Sequence, residues 1–267
     1  MQFIQYIYKI VSNKIYDKPP GYFCQLSNSL LILPFKTECM MDIHKIQAFK
    51  DCYIMQPEDI GRFADTLADG FCGYDLFNYI CNGNYNKKKM SASWAVSIAL
   101  HYKNAICIAD SKDANSVLIY VRPKSKEPGP LEYVKVGGLK TFIKLGIKST
   151  LKLLQFDAQA QKVAKHYRTD NCGYLVGFAT RIEKQGQKYG KYLMQALLNY
   201  LDATGEECYL ETFKAANVGL YNHFSFQLKE QIPSSSGNLT MYAMHRPARY
   251  KEQASCLNQN VPDCIIE

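Results

Sequence analysis

The sequence predicts a mixed α/β domain, and three observations carry that prediction. Short apolar runs of strand length, at 52–55, 105–110, 116–122, 173–180 and 207–211, alternate with stretches whose apolar residues recur every three or four positions. Apolar residues make up 47% of the 267-residue chain, ample for a packed core. The polar stretch 112–115 between two of the runs has the chemistry of a hairpin turn, which joins antiparallel strands.

Residues 1–48 show no clear period and are interrupted by Pro19-Pro20-Gly21, so we expect an extension there, a folded domain over 49–247 and a tail over 248–267. After the strand at 52–55, Pro57 suits the first position of a helix whose buried stripe is Ile60, Phe63, Ala64, Leu67, Ala68 and Phe71. A second helix is expected at 75–81, a basic loop at 82–89, and a helix at 91–102 capped by Ser91. A hairpin of 105–110 and 116–122 leads into a proline-rich loop at 123–130. The stretch 139–154 reads as one amphipathic helix, with Leu139, Phe142, Ile143, Ile147, Leu153 and Leu154 opposite Lys140, Lys144, Lys148 and Lys152; another helix occupies 157–167. A strand at 207–211, a short helix at 215–224 and a strand pair at 226–232 and 239–244 complete the pattern.

Lys and Arg number 32 against 24 Asp and Glu, a formal charge of +8 that favours an anionic ligand, nucleic acid or an acidic surface. The four spaced lysines read as a solvated face: like charges at i,i+4 cost a helix a few tenths of a kcal/mol, and no aromatics interleave them as a nucleic-acid groove requires. Ten cysteines occur without a C-x-x-C pair or histidines at metal spacing, which predicts no metal site, no disulfide framework and free thiols in a reducing cytoplasm. The apolar run at 29–35 is far shorter than the roughly 20 residues a membrane helix needs, and the first residues are weak as a signal peptide.

The stretch 183–194, EKQGQKYGKYLM, is the strongest candidate for a ligand site. It joins the strand at 173–180 to a helix striped by Tyr189, Tyr192, Leu193, Ala196, Leu197, Tyr200 and Leu201, placing Gly186 and Gly190 in a strand-to-helix turn. The first turn of a helix offers four unpaired N–H donors and the positive end of the macrodipole, which suits phosphate oxygens, and the glycines would let a ligand approach closely. Two glycines before a helix are, by themselves, equally an ordinary turn.

The residues beyond the turn make the pattern specific. A strand, Q-G-x-x-x-G, an amphipathic helix, a strand ending in Leu210-Glu211-Thr212, and then Asn217, Tyr221, Phe224 and Phe226 in N-x-x-x-Y-x-x-F-x-F resemble the GNAT superfamily of acyl-CoA-dependent N-acetyltransferases. The resemblance covers about 51–246 and is most specific over 173–226. The family's Q/R-x-x-G-x-G/A reads Gln185-Gly186-Gln187-Lys188-Tyr189-Gly190 here, with Lys188 where the middle glycine is expected, and its G-F phrase is Ser225-Phe226.

The resemblance implies a central mixed, mostly antiparallel twisted sheet, splayed near 177–180 to admit the cofactor, with helices on both faces. It implies that the acetyl-CoA pyrophosphate rests on the turn opened by Gln185, on the N–H groups of Gly186, Gln187, Lys188, Tyr189, Gly190 and Lys191, while the pantetheine pairs with Phe178, Ala179 and Thr180 like an added strand. A neutral primary amine then attacks the thioester, and Tyr221 matches the tyrosine that protonates the departing thiolate. Outside the motif Tyr221 would read as one of 20 tyrosines packing a helix. Asn217 shares its helical face and either binds the pantetheine or caps the helix. The strand GYLVGFAT holds no carboxylate, so the general base is Glu211, Glu183 or a water chain. His223 reads as a surface residue, and Cys172 and Cys208 as small buried thiols.

The expected function is acetyl transfer from acetyl-CoA to a primary amine of an unidentified acceptor, a small molecule or peptide, without metal or membrane. An acyl-CoA-binding or sensing domain with little catalysis stays open as an alternative, as does a basic nucleic-acid-binding module using Lys87, Lys88, Lys89 and the lysine row. Coenzyme A titration separates the first two from the third, which would show salt-dependent nucleic-acid binding instead. The acceptor pocket is expected from 71–85 and 124–133.

Overall fold

The computed structural model describes residues 43, 46–234 and 239–249, so most of the expected extension and tail lie outside the described residues. Seven strands form one sheet: β1 (Tyr53–Ile54), β2 (Ala105–Ala109), β3 (Ser116–Val121), β4 (Cys172–Thr180), β5 (Glu207–Thr212), β6 (Gln227–Pro233) and β7 (Thr240–Arg246), in the order β1-β2-β3-β4-β5-β7-β6. Every neighbouring pair is antiparallel except β4 and β5, which run parallel. That one pair is short. It holds Cys172 with Glu207, Gly173 with Cys208 and Tyr174 with Tyr209, after which the strands part although each continues.

Eight α-helices occur among the described residues: α1 (Ile60–Gly70), α2 (Asp75–Ile80), α3 (Lys87–His101), α4 (Pro130–Lys135), α5 (Gly138–Leu145), α6 (Ile147–Tyr167), α7 (Tyr189–Thr204) and α8 (Ala215–His223). They cover both sheet faces, which is why β2 and β3 are buried at every position rather than alternately. Ile106, Ile108, Leu118 and Tyr120 pack with Leu193, Leu197 and Leu201 of α7, and the other apolar side chains of the two strands pack with Phe63, Ala64 and Leu67 of α1. Each such side chain contributes roughly 1.5–3 kcal/mol of gross burial free energy. Phe49, in a short 3-10 helix at Gln47–Phe49, stacks on Tyr200 with ring centroids 5.4 Å apart.

The strands, and α1, α2, α7 and α8, fall where periodicity places them; four expectations are corrected. The third helix begins at Lys87, not at 91, because the Asn86 side chain accepts from the Lys89 N–H at 3.0 Å; Ser91 lies inside it and donates to Asp65. Pro130 closes the proline-rich loop by opening α4, where its missing N–H is no loss. The lysine-rich stretch is two helices, broken at Gly146 with φ +93°, and α6 then runs without a break through 157 to Tyr167. The break divides the lysine row between α5 and α6 and leaves Ile143 and Ile147, expected to be buried, 63% and 54% exposed. Lys152 is not a solvated surface cation: its ammonium donates to the Tyr79 carbonyl at 2.8 Å and Asn82 Oδ1 at 2.7 Å, tying α6 to the end of α2.

Candidate active site

The site is built on the place where β4 and β5 part. From Leu175 to Thr180, β4 bonds β3 on one side and no strand on the other, leaving an open edge in the middle of a sheet. At the far end of the gap, the Tyr74 hydroxyl shares a 2.8 Å hydrogen bond with Thr212 Oγ1 and accepts the Phe213 N–H at 2.6 Å. Asn217 Nδ2 donates to the same Thr212 hydroxyl at 3.1 Å. Asn217 therefore does not cap α8, whose N-cap residue is Lys214.

Phe178, Ala179 and Thr180 form the end of the open edge, and the glycine turn folds back beside them. Gln185 Nε2 donates to the Thr180 carbonyl at 3.2 Å, and the Ile182 N–H donates to Asp69 Oδ2 at 2.8 Å. Gly70, next to Asp69, makes this approach possible, because a Cβ there would lie 2.7 Å from the Thr180 oxygen and 2.8 Å from the Ala179 Cβ. The two glycines of the turn have different tasks. Gly186, at φ +77°, faces open space; Gly190 faces the strand, where a Cβ would meet Phe178 and Thr180 at 3.1 Å. Gly190 lets helix and strand approach each other, a task beside the one expected of it.

Lys188 caps α7 in the left-handed region, φ +69°, so it keeps the backbone shape of the missing glycine at a cost of about 1 kcal/mol, and its side chain is exposed. Ser225 does the same for the other departure from the motif, at φ +68°. The N–H groups of Gly186, Gln187 and Lys188 have no hydrogen-bond partner among the described residues and precede the first turn of α7, formed by Tyr189, Gly190 and Lys191. This is a row of unpartnered donors at the positive end of a sixteen-residue helix.

Tyr221 is 8% exposed, its ring edge-on to Phe226 at 5.7 Å, in the same core cluster that Phe178 borders. Its hydroxyl makes no hydrogen bond among the described residues, and burial holds its proton on more tightly than in water. Glu211 lies on the opposite sheet face, beneath α6. Tyr174 donates to its Oε2 at 2.6 Å, and the buried Tyr209 hydroxyl interacts with the same carboxylate. Burial pushes the Glu211 carboxyl up to about 7, against the opposing pull of Tyr174, Tyr209 and Arg168. Glu183 sits exposed on the rim of the turn, and His223 is exposed on α8. Cys172 and Cys208 are buried thiols, 1% and 0% exposed, both raised mainly by burial.

Sequence reasoning missed three members of this neighbourhood. Tyr174 reads in sequence as one more apolar strand residue, and Tyr74 as part of a short helix; their partners are 37 and 138 positions away. Asp157 is pushed up to about 6 by desolvation and then by the Glu127 charge, though its edge stays open to solvent. The fold also gathers Cys172, Glu207 and His245 within 4.8 Å, from three strands, a grouping no sequence spacing announces. There Glu207 Oε2 already pairs with His245 Nε2 and Thr169 Oγ1, each at 3.0 Å.

Residues 155–226 match the model of the Acetyltransferase (GNAT) family, a segment running from α6 through β4, the glycine turn, α7, β5 and α8 to Phe226. An uncharacterised N-acetyltransferase of Schizosaccharomyces pombe is 23% identical over 188 residues, 67% of this chain and 74% of that protein. The C-terminal condensation domain of Ebony, solved with beta-alanyl-dopamine, shares the fold at a TM-score of 0.50 and 8% identity, over 74% of this chain and 98% of that one. A Corynebacterium glutamicum protein described as histone acetyltransferase HPA2 and related acetyltransferase covers 75% of this chain and 97% of its own, with 20% identity and a TM-score of 0.49. The resemblance seen in the motifs is borne out over residues 155–226, the segment that matches the family model and that holds the turn, the sheet fork and Tyr221. No helix among the described residues is long and apolar enough to cross a membrane.

Proposed function

We propose that the protein transfers the acetyl group of acetyl-CoA directly to a primary amine. The observation that carries this reading is the fork itself, an unpaired strand edge that ends beside a row of unpartnered N–H groups. The edge at Phe178, Ala179 and Thr180 offers backbone donors and acceptors to the amides of a pantetheine arm. The turn from Gln185 to Lys191 offers N–H groups, the α7 dipole and the Lys188 and Lys191 ammonium groups to the pyrophosphate.

The two sheet faces supply the proton chemistry. An amine arriving as an ammonium cannot attack; Glu211, with a carboxyl near 7, takes its proton from the face beneath α6. The neutral nitrogen then forms a bond to the acetyl carbon, and the carbon–sulfur bond breaks. Tyr221, holding its proton on the opposite side of the fork, protonates the departing sulfur. Across the reaction the ammonium proton taken by Glu211 passes to solvent, and a second proton, lost from the nitrogen as the amide forms, restores the Tyr221 hydroxyl, so that one N–H of the neutral amine becomes the S–H of coenzyme A.

Titration of the protein with coenzyme A, paired with an amine-dependent assay for released thiol, tests the proposal. Binding together with thiol release supports it. Binding without release from any amine favours the acyl-CoA-binding or sensing alternative, and absence of binding removes both.

A further inference from the structure

Cys172, Glu207 and His245 come from β4, β5 and β7, and the sheet register puts them on one face. Cys172 lies directly beside Glu207 where the parallel pair begins, and Glu207 lies two residues before Tyr209, the position opposite His245, so the two-residue period of a strand turns all three the same way. One ligand atom from each, a sulfur, a carboxylate oxygen and an imidazole nitrogen, lies within 4.8 Å of the other two. Two of them already touch. His245 Nε2 and Glu207 Oε2 are 3.0 Å apart, which accounts for that pair and leaves Cys172 with a 3.4 Å contact to the neighbouring Gly173 carbonyl.

Thiolate, imidazole and carboxylate are the donors that zinc takes. A tetrahedral zinc with bonds of about 2.0–2.3 Å sets its ligand atoms about 3.3–3.7 Å apart, so the oxygen and nitrogen need to part slightly and the sulfur to close in by about 1 Å, within reach of side-chain torsions. The thiolate and carboxylate would balance the charge of the dication. A supporting contact is already in place: Thr169 Oγ1 donates to Glu207 Oε2 at 3.0 Å and accepts the Asn171 N–H at 3.2 Å. No lysine or arginine pairs with Glu207 among the described residues; Arg168, beside Thr169 in the chain, sits 5.3 Å from the centre of the Tyr174 ring. Cys172 is 1% exposed and His245 9%, while the Glu207 side chain is 21% exposed, a dry pocket with its entrance on the glutamate side.

We propose that Cys172, Glu207 and His245 bind a zinc ion, with a water molecule as the fourth ligand. On binding, the Cys172 thiol releases its proton to solvent, and His245 Nε2 gives up its hydrogen bond to Glu207 and takes the metal as a neutral imidazole that carries its proton on Nδ1. The ion would rivet β4, β5 and β7 together at the closed end of the fork, where Cys172 and Glu207 form the first of the three residue pairs between β4 and β5. The site holds none of the residues assigned to acetyl transfer, and the inference does not depend on that reading.

The test uses the full chain, reduced and stripped of metal, titrated with zinc against a chromophoric chelator and with cobalt as a spectroscopic probe. One tightly bound equivalent of zinc is expected. Cys172→Ser, Glu207→Gln and His245→Gln should each weaken it by at least about 100-fold, since loss of an outer contact to a metal ligand already costs about 10–100-fold. Cobalt should give a thiolate charge-transfer band that Cys172→Ser abolishes and that the same change at exposed Cys72 leaves intact. Zinc at about 100 times its dissociation constant should raise the wild-type melting temperature by roughly 5–10 °C, and each ligand variant should lose that rise whatever its own stability. Wild type that binds no zinc overturns the inference, as do ligand variants that bind it as tightly as wild type, or a cobalt band that survives Cys172→Ser. If Cys172→Ser does not fold, the two glutamine variants and the zinc-dependent melting shift decide the matter.

Discussion

Tyr174, the last residue of β4 to pair with β5, donates a 2.6 Å hydrogen bond to Glu211, two residues beyond the last paired position on β5. The bond crosses the fork at its base. It sets the orientation of the carboxylate by the same backbone geometry that opens the gap, so the position of the proposed base and the width of the fork vary together.

Glu211→Gln should reduce amine acetylation by roughly 10²–10⁴-fold, the usual contribution of a general base, while coenzyme A binding by calorimetry stays unchanged. In wild type, kcat/KM should fall as pH drops through about 7, where Glu211 becomes protonated, and this acid limb should be missing from the variant. Stability moves the other way. Burial raises the folded-state pKa above that of a free glutamate, so the protonated form favours the fold; that stability is complete below the ordinary glutamate range and is lost as pH rises through about 7. Glu211→Gln should therefore melt above wild type at pH ~8, with the difference shrinking toward pH ~5.

Tyr221→Phe keeps the ring against Phe226 and removes only the hydroxyl. Turnover should fall by about 10²-fold or more with little change in coenzyme A affinity. Equal turnover by variant and parent removes Tyr221 from the mechanism.

Lys188→Gly should relieve the left-handed strain and raise the melting temperature by roughly 2–4 °C, equivalent to about 1 kcal/mol in a chain of this size. The same change deletes an exposed cation from the turn, so coenzyme A should bind more weakly and with a shallower dependence on salt. A tighter complex would show that the side chain obstructs the cradle.

Gly70→Ala and Gly61→Ala occupy the same helix and should part company. At Gly61 a Cβ meets nothing within 4 Å, and the exchange should stabilise α1 by up to about 1 kcal/mol. At Gly70 the Cβ strikes the Thr180 oxygen and the Ala179 Cβ, costing roughly 1–3 kcal/mol and displacing the strand edge. Thermal melts of the pair, with coenzyme A titrations, check both.

Periodicity made the strands and the main helices legible, and the motif from Gln185 to Phe226 made the turn and Tyr221 legible, because both signals are local in sequence. Features decided by a single residue against its neighbours stayed hidden. Gly146 cuts an apolar pattern that continues on both sides of it, and Asn86 captures a helix start four residues before the first convincing stripe residue. The surroundings of Glu211 were illegible for a different reason: Tyr174, Asp157 and Arg168 come from other elements, and only the fold brings them under one roof. Lys188 and Ser225 look like losses in sequence; both keep the left-handed backbone that glycine would have supplied.

Three residue pairs are all that stitch β4 to β5, so the hydrogen-bonded ladder joining the two halves of the sheet is nearly severed in the free protein. The halves are otherwise held across the seam by side-chain ties such as Tyr120 to Glu206 at 2.8 Å and Tyr174 to Glu211. A cosubstrate lying in the gap would act as an interior strand and restore continuity from edge to edge. Its occupancy would then govern how cooperatively the whole domain unfolds, and the amides from Leu175 to Thr180 that face the gap should pass from fast to slow hydrogen exchange as coenzyme A is added.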